Sequence, residues 1–198
     1  MTRKKRYRAF VDHFSQAMPA PTTELIYRTP FELLVAVVLS AQCTDKRVNQ
    51  ITPTLFQAFP TPLALSQASI AEVQHYIRQI SYPNSKARYL VELSKILVKE
   101  FQAALPDNRE DLERLPGVGR KSASVILATI YQQPAMPVDT HVMRVSKRIG
   151  LVDQSLSSPL AIEKVLVQYF SQQELNYAHH WLVLHGRYIC TARKPKCA

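Results

Sequence analysis

Apolar positions along this chain recur at intervals of three and four, segment after segment, and no stretch carries the alternation expected of a half-buried strand. Phe10, Val11 and Phe14 give the first eighteen residues one apolar face. The run FELLVAVVLSAQ after Pro30 is apolar nearly all round and is predicted to sit in the middle of a bundle. Val48 to Phe59, Ser66 to Ile80 and Lys86 to Phe101 each carry a helical stripe, with His75 on the polar side of the second. Arg109 to Leu115 adds a turn or two, and SASVILATIYQQ, THVMRVSKRIG, LAIEKVLVQYF and Asn176 to Cys190 complete the series. The pattern predicts an all-α protein of short helices.

The punctuation between stripes agrees. Thr29-Pro30-Phe31-Glu32 has threonine at an N-cap, proline at the first helical position and glutamate placed to close a capping box. Pro60, Pro62 and Leu105-Pro106 break runs, SYPNS reads as a turn, and Gly150 suits the residue after a helix end. All four glycines fall at or near such breaks.

Composition narrows the partners. A 46% hydrophobic chain of 198 residues can bury a core in one domain or two. Its net charge of +10 and pI near 9.7 point to a polyanion such as nucleic acid, although a solvated surface accounts for the same excess. Arg3, Lys4, Lys5, Arg6 and Arg8 head the first helix and admit both readings. Three unevenly placed cysteines do not make a secreted disulfide framework, and no window approaches the roughly 18 apolar residues of a membrane helix. A cytoplasmic protein is expected, with no membrane attachment.

Candidate chemistry concentrates between Leu115 and Asp139. In LPGVGRK, Gly117, Val118 and Gly119 lie between two helical segments, where glycine permits positive φ and close approach of another backbone. The following helix points unpaired N–H groups outward, an arrangement that binds phosphate; a glycine turn that only packs two helices is the alternative. Arg120 and Lys121 follow at once. A cation in a first turn opposes the helix macrodipole, and the same field favours a neutral, nucleophilic amine of the kind that forms Schiff bases. The P-loop pattern fails here, since Arg120 stands where glycine should precede the lysine and no strand comes before the turn. Asp139 occupies an N-cap position, and its carboxylate could also stabilise positive charge developing on a sugar.

LPGVGRK, VDTH, LLVAVVLSAQCTD, NSKA and HHWLVLHGRYICTARKPKC, in this order over nearly the whole chain, closely resemble the endonuclease III family of helix-hairpin-helix DNA glycosylases and abasic-site lyases. The resemblance implies a six-helix barrel domain over residues 24–133 and a second helical domain over 1–23 and 134–198, with duplex DNA held between them by a monomer. It implies Lys121 as nucleophile and Asp139 as catalytic carboxylate. Gln42, Tyr82, Gly117, Val118, Gly119, Arg120 and His141 become the expected DNA contacts, Gln42 filling the gap left by an extruded nucleotide. The implied reaction is removal of an oxidised pyrimidine followed by β-elimination at the abasic site. A related glycosylase of other lesion specificity, or a non-catalytic helix-hairpin-helix module, are the rival expectations; the module would need neither Lys121 nor Asp139.

Two departures stand out. The family's 4Fe-4S cluster uses cysteines spaced C-x6-C-x2-C-x5-C; Cys190 and Cys197 match the first two, and the others would lie beyond Ala198. A truncated chain is the favoured explanation, a degraded cluster loop the other. Ser81 and Tyr82 stand where the family commonly has an aliphatic wedge, and an aromatic there could stack into the duplex.

Overall fold

The computed structural model describes residues 1–197, and its regular elements among those residues are all α-helices. Two compact units emerge: a central one, Glu24–Ile126, and a terminal one made of Met1–Thr23 with the chain from Leu127 onward.

The central unit is built on α2 (Pro30–Ser40), in which every residue from Phe31 to Leu39 is buried, as its all-round apolar pattern requires. Thr29 caps it by accepting the Glu32 N–H at 3.2 Å. The expected capping box closes differently: the Glu32 carboxylate accepts the Arg28 N–H at 2.6 Å, one residue further back than the cap. Helix α2 packs against α3 (Asp45–Ala58) and α6 (Pro83–Glu100), α4 (Pro62–Gln67) and α5 (Ile70–Ile77) pack on α6, and α7 (Arg109–Arg114) follows in the chain. The single stripe read over Ser66 to Ile80 is in fact two helices. Thr61-Pro62 starts α4, and Ser69 with Glu72 forms a complete capping box that starts α5, which leaves Ile70 exposed. Helix α6 also begins earlier than its apolar stripe, because Pro83 takes the first helical position. Helix α8 (Arg120–Ile130) carries the boundary between the units.

In the terminal unit α9 (Thr140–Arg148) packs on α11 (Gln172–Tyr188), with α1 (Arg3–Ala17) and α10 (Pro159–Tyr169) completing the core. Phe10, Phe14, Phe170 and Trp181 form its aromatic centre, and Trp181 Nε1 donates to the Met18 carbonyl at 2.8 Å. Helix α11 starts four residues before the apolar run that predicted it, because Ser171 and Glu174 form a capping box. Gly186 permits the close crossing of α9, since a Cβ there would lie 2.9 Å from the His141 Cβ. Part of the N-terminal basic cluster serves this fold: Arg3 pairs with Asp153 at 2.6 Å, Arg6 donates to the Gly150 carbonyl at 3.1 Å and Arg8 pairs with Asp12.

His180 makes the terminal unit acid-sensitive. Burial on α11 lowers its pKa from the ordinary 6.5 to about 4. Above the ordinary value the ring is neutral in folded and unfolded chains alike. Below it the unfolded chain takes a proton that the fold refuses, so stability falls, by roughly 3 kcal/mol once the pH is under the folded pKa. Urea unfolding at about pH 7.5 and about pH 4.5 is expected to show a smaller loss for His180→Gln than for the parent. Equal losses would remove His180 from the account.

Candidate functional site

Helices α7 and α8 flank the turn Leu115-Pro116-Gly117-Val118-Gly119. Leu115 and Val118 point into the core, and the Val118 N–H donates to the Leu115 carbonyl at 3.0 Å, so the turn is tight. Gly117 has φ +82°, and a Cβ on it would come within 3.1 Å of both Tyr89 and Val38. Gly119 differs: a Cβ there would meet nothing within 4 Å, and its carbonyl accepts the Ala123 N–H, the first bond of α8. The open side of the turn and the first turn of α8 therefore expose backbone to an incoming group, with the N–H dipoles of the helix start favouring an anion. Arg120 and Lys121 occupy the first two positions of α8 and are exposed.

An unforeseen arginine braces this hairpin. Arg109 on α7 donates to the Arg120 carbonyl at 3.3 Å and to the Ser124 hydroxyl at 2.8 Å, while that hydroxyl donates back to the Arg120 carbonyl at 2.9 Å.

Two further loops of the central unit are joined to each other. Gln42, just past the end of α2, has φ +53°, and Tyr82, just before α6, has φ +57°; both are left-handed conformations that side chains other than glycine enter at a cost. The Ser81 hydroxyl donates to the Gln42 carbonyl at 2.9 Å. The buried Lys86 ammonium donates to the Leu39 and Ala41 carbonyls at 2.9 and 2.6 Å, which satisfies the end of α2 without a glycine. Burial holds this ammonium below the ordinary lysine range, offset in part by the Cys43 thiol. Both loop tips stay exposed, Tyr82 at 62%.

Asp139 belongs to the terminal unit and caps α9, its Oδ1 accepting the His141 and Val142 N–H groups at 2.8 Å each. The His141 ring turns inward: its Nδ1 lies 3.1 Å from the Arg144 guanidinium, and since arginine only donates, Nδ1 accepts. The same guanidinium donates to the Gly186 carbonyl at 2.7 Å and to the Cys190 carbonyl at 3.1 Å.

Cys190 is buried and Cys197 exposed, yet their sulfurs and a ring nitrogen of His185 lie within 4.8 Å of one another. Arg148 donates to the Cys190 sulfur at 3.4 Å and to the Thr191 and Ala192 carbonyls, so α9 fixes the loop and supplies positive charge beside the sulfurs. Desolvation, then the hydrogen bond and charge of Cys190, hold the Cys197 thiol above its ordinary pKa. This pair fits as two soft ligands to iron, and the three cysteines of the sequence do not make a four-thiolate set. His185, Arg144 and Arg148 were not picked out by sequence; the partners of the arginines lie up to 46 residues away. No helix among the described residues is long and apolar enough to cross a membrane.

Residues 35–172 match the family described as HhH-GPD superfamily base excision DNA repair protein. Endonuclease III of Rickettsia prowazekii is 49% identical over 184 residues, which is 93% of this chain and 86% of the relative. Endonuclease III of Escherichia coli is 42% identical over 179 residues, 90% of this chain and 84% of the relative. Among solved structures, that of a trapped endonuclease III–DNA covalent intermediate superposes with a TM-score of 0.93 at 40% identity, covering 100% of this chain and 92% of the other.

Proposed function

The chain belongs to the endonuclease III family of the HhH-GPD base excision DNA repair superfamily, and from that premise we propose that it removes oxidised pyrimidines from duplex DNA and nicks the resulting abasic site through a Schiff base on Lys121. The observation that carries the assignment is Lys121 itself, exposed in the first turn of α8 directly after the open glycine turn.

The steps use the groups just described. A damaged nucleotide leaves the stack, at least cost where pairing is already weak. Gln42 occupies the gap, and Tyr82 stacks at the neighbouring step. Lys121 Nζ attacks C1′ of the sugar as the base departs with the glycosidic electron pair and is protonated. Asp139 stabilises positive charge on the sugar and relays protons. Ring opening leaves an iminium between C1′ and Nζ; loss of a C2′ proton then expels the 3′ phosphate, and hydrolysis returns the amine. The Gly117–Gly119 turn and Arg120 hold backbone phosphate, and His141 is a further DNA contact.

In domain terms, residues 24–133 form the barrel with the hairpin, and residues 1–23 and 134–198 the second domain. There Cys190 and Cys197 would supply two thiolates to a 4Fe-4S cluster, a group that fixes a loop by cross-linking it. The protein acts as a monomer on cytoplasmic DNA.

Borohydride trapping tests the reading: covalent adducts are expected on duplexes carrying thymine glycol or an abasic site, and an unmodified duplex should give none. Absence of adducts on both substrates refutes it. The two hairpin glycines should also separate. Gly117→Ala is expected to lower stability by ~1–3 kcal/mol, from its positive φ and its two close neighbours. Gly119→Ala should leave unfolding unchanged yet weaken duplex affinity, because the space it fills is the space a phosphate needs. Unchanged affinity in Gly119→Ala would move the phosphate elsewhere.

A further inference from the structure

Resting on that reading, we propose that Lys86 is a positioning residue that sets the Gln42 and Tyr82 loops as one unit for entry into the duplex. Three of its bonds converge on these loops. The ammonium binds the Leu39 and Ala41 carbonyls, immediately before Gln42, and the Lys86 backbone N–H donates to the Tyr82 carbonyl at 3.1 Å. The Ser81 hydroxyl closes the ring of contacts on the Gln42 carbonyl.

What makes this more than a helix cap is the conformation it holds. Gln42 and Tyr82 are both left-handed without being glycine, a state that persists only where surrounding contacts over-determine it. A plain termination of α2 would use glycine and leave the side chain of residue 42 undirected. Here a long side chain stands at each tip, both tips are exposed, and one buried lysine ties down both backbones. Among the described residues Lys86 forms no ion pair, and its ammonium hydrogen-bonds to carbonyl oxygens alone. A group that inserts into stacked bases gains most from being set beforehand, since ordering it during insertion would add to the barrier.

The prediction separates positioning from chemistry. Extrusion is needed only in duplex DNA, whereas a single-stranded abasic site is already open to Lys121. Lys86→Met, which keeps the length and the backbone bond to Tyr82 but loses the two ammonium bonds to the Gln42 loop, is expected to lower single-turnover excision from a duplex about 10- to 100-fold. Nicking of a single-stranded abasic oligonucleotide should stay near the parent rate. The fluorescence rise of 2-aminopurine placed opposite an abasic site should slow in step with excision, and Lys86→Arg should recover most of both. Equal losses on duplex and single strand, or an unaffected duplex rate, would overturn the proposal. Should Lys86→Met fail to fold, Ser81→Ala, which removes only the link between the loops, must show the same duplex-selective loss on a smaller scale; parent-like behaviour would overturn it. A parent protein inert on both substrates refutes the functional reading, and this proposal with it.

Discussion

Lys121→Ala is expected to lose borohydride trapping and strand nicking altogether, a fall on the order of 10³-fold or more in single-turnover nicking, while duplex affinity stays within a few fold. Borohydride fixes protein to C1′ only where that carbon is doubly bonded to a protein nitrogen, since reduction of the free aldehyde leaves no adduct, and alanine brings no nitrogen to the sugar. Structure adds that the change should be harmless to the fold. Lys121 is exposed in the first turn of α8, where its charge opposes the helix dipole, and its removal relieves that opposition, worth up to ~1 kcal/mol. The hairpin itself is held by Gly117, Arg109 and Ser124. A folded, DNA-binding variant that no longer traps is therefore the expected outcome. Full trapping by Lys121→Ala would mean that another amine is the nucleophile.

The same contrast explains which parts of the molecule were legible in the sequence. The hairpin and the helix after it could be read because their information is local: a glycine turn, a helix start and a lysine lie within a few residues. The buried helix α2 was legible because its apolar run leaves no polar face to expose. Periodicity failed where a helix was started by its cap rather than by its stripe, as at Ser69 and Ser171. It also failed for residues whose work is done far along the chain. Lys86 sits in a helix as an ordinary basic residue, and only the fold brings it beneath carbonyls 45 and 47 positions earlier. Arg144 and Arg148 likewise look like surface charge on α9, yet they hold the cysteine loop 42 to 46 positions later. Sequence distance hides such contacts because nothing in local composition says which carbonyl lacks a donor.

Asp139 carries two properties that substitution can pull apart. As the cap of α9, Oδ1 accepts two backbone N–H groups; as the proposed catalytic carboxylate, it must also bear charge. Asparagine keeps an oxygen that accepts both N–H groups and is as good an N-cap as aspartate, but it is neutral. Asp139→Asn should therefore unfold within a few tenths of a kcal/mol of the parent, whereas Asp139→Ala should lose ~1 kcal/mol with its cap. Base excision should fall in both variants, by ~10²–10⁴-fold, because neither can stabilise a cationic sugar or carry a proton. Capture of a preformed abasic site should fall less, since no base has to leave before Lys121 attacks. Single-turnover excision set beside borohydride capture, with urea unfolding on the same samples, reads all three effects. Parent-like excision by Asp139→Asn would show that the position needs only an oxygen, which would make Asp139 a cap and move the catalytic carboxylate elsewhere.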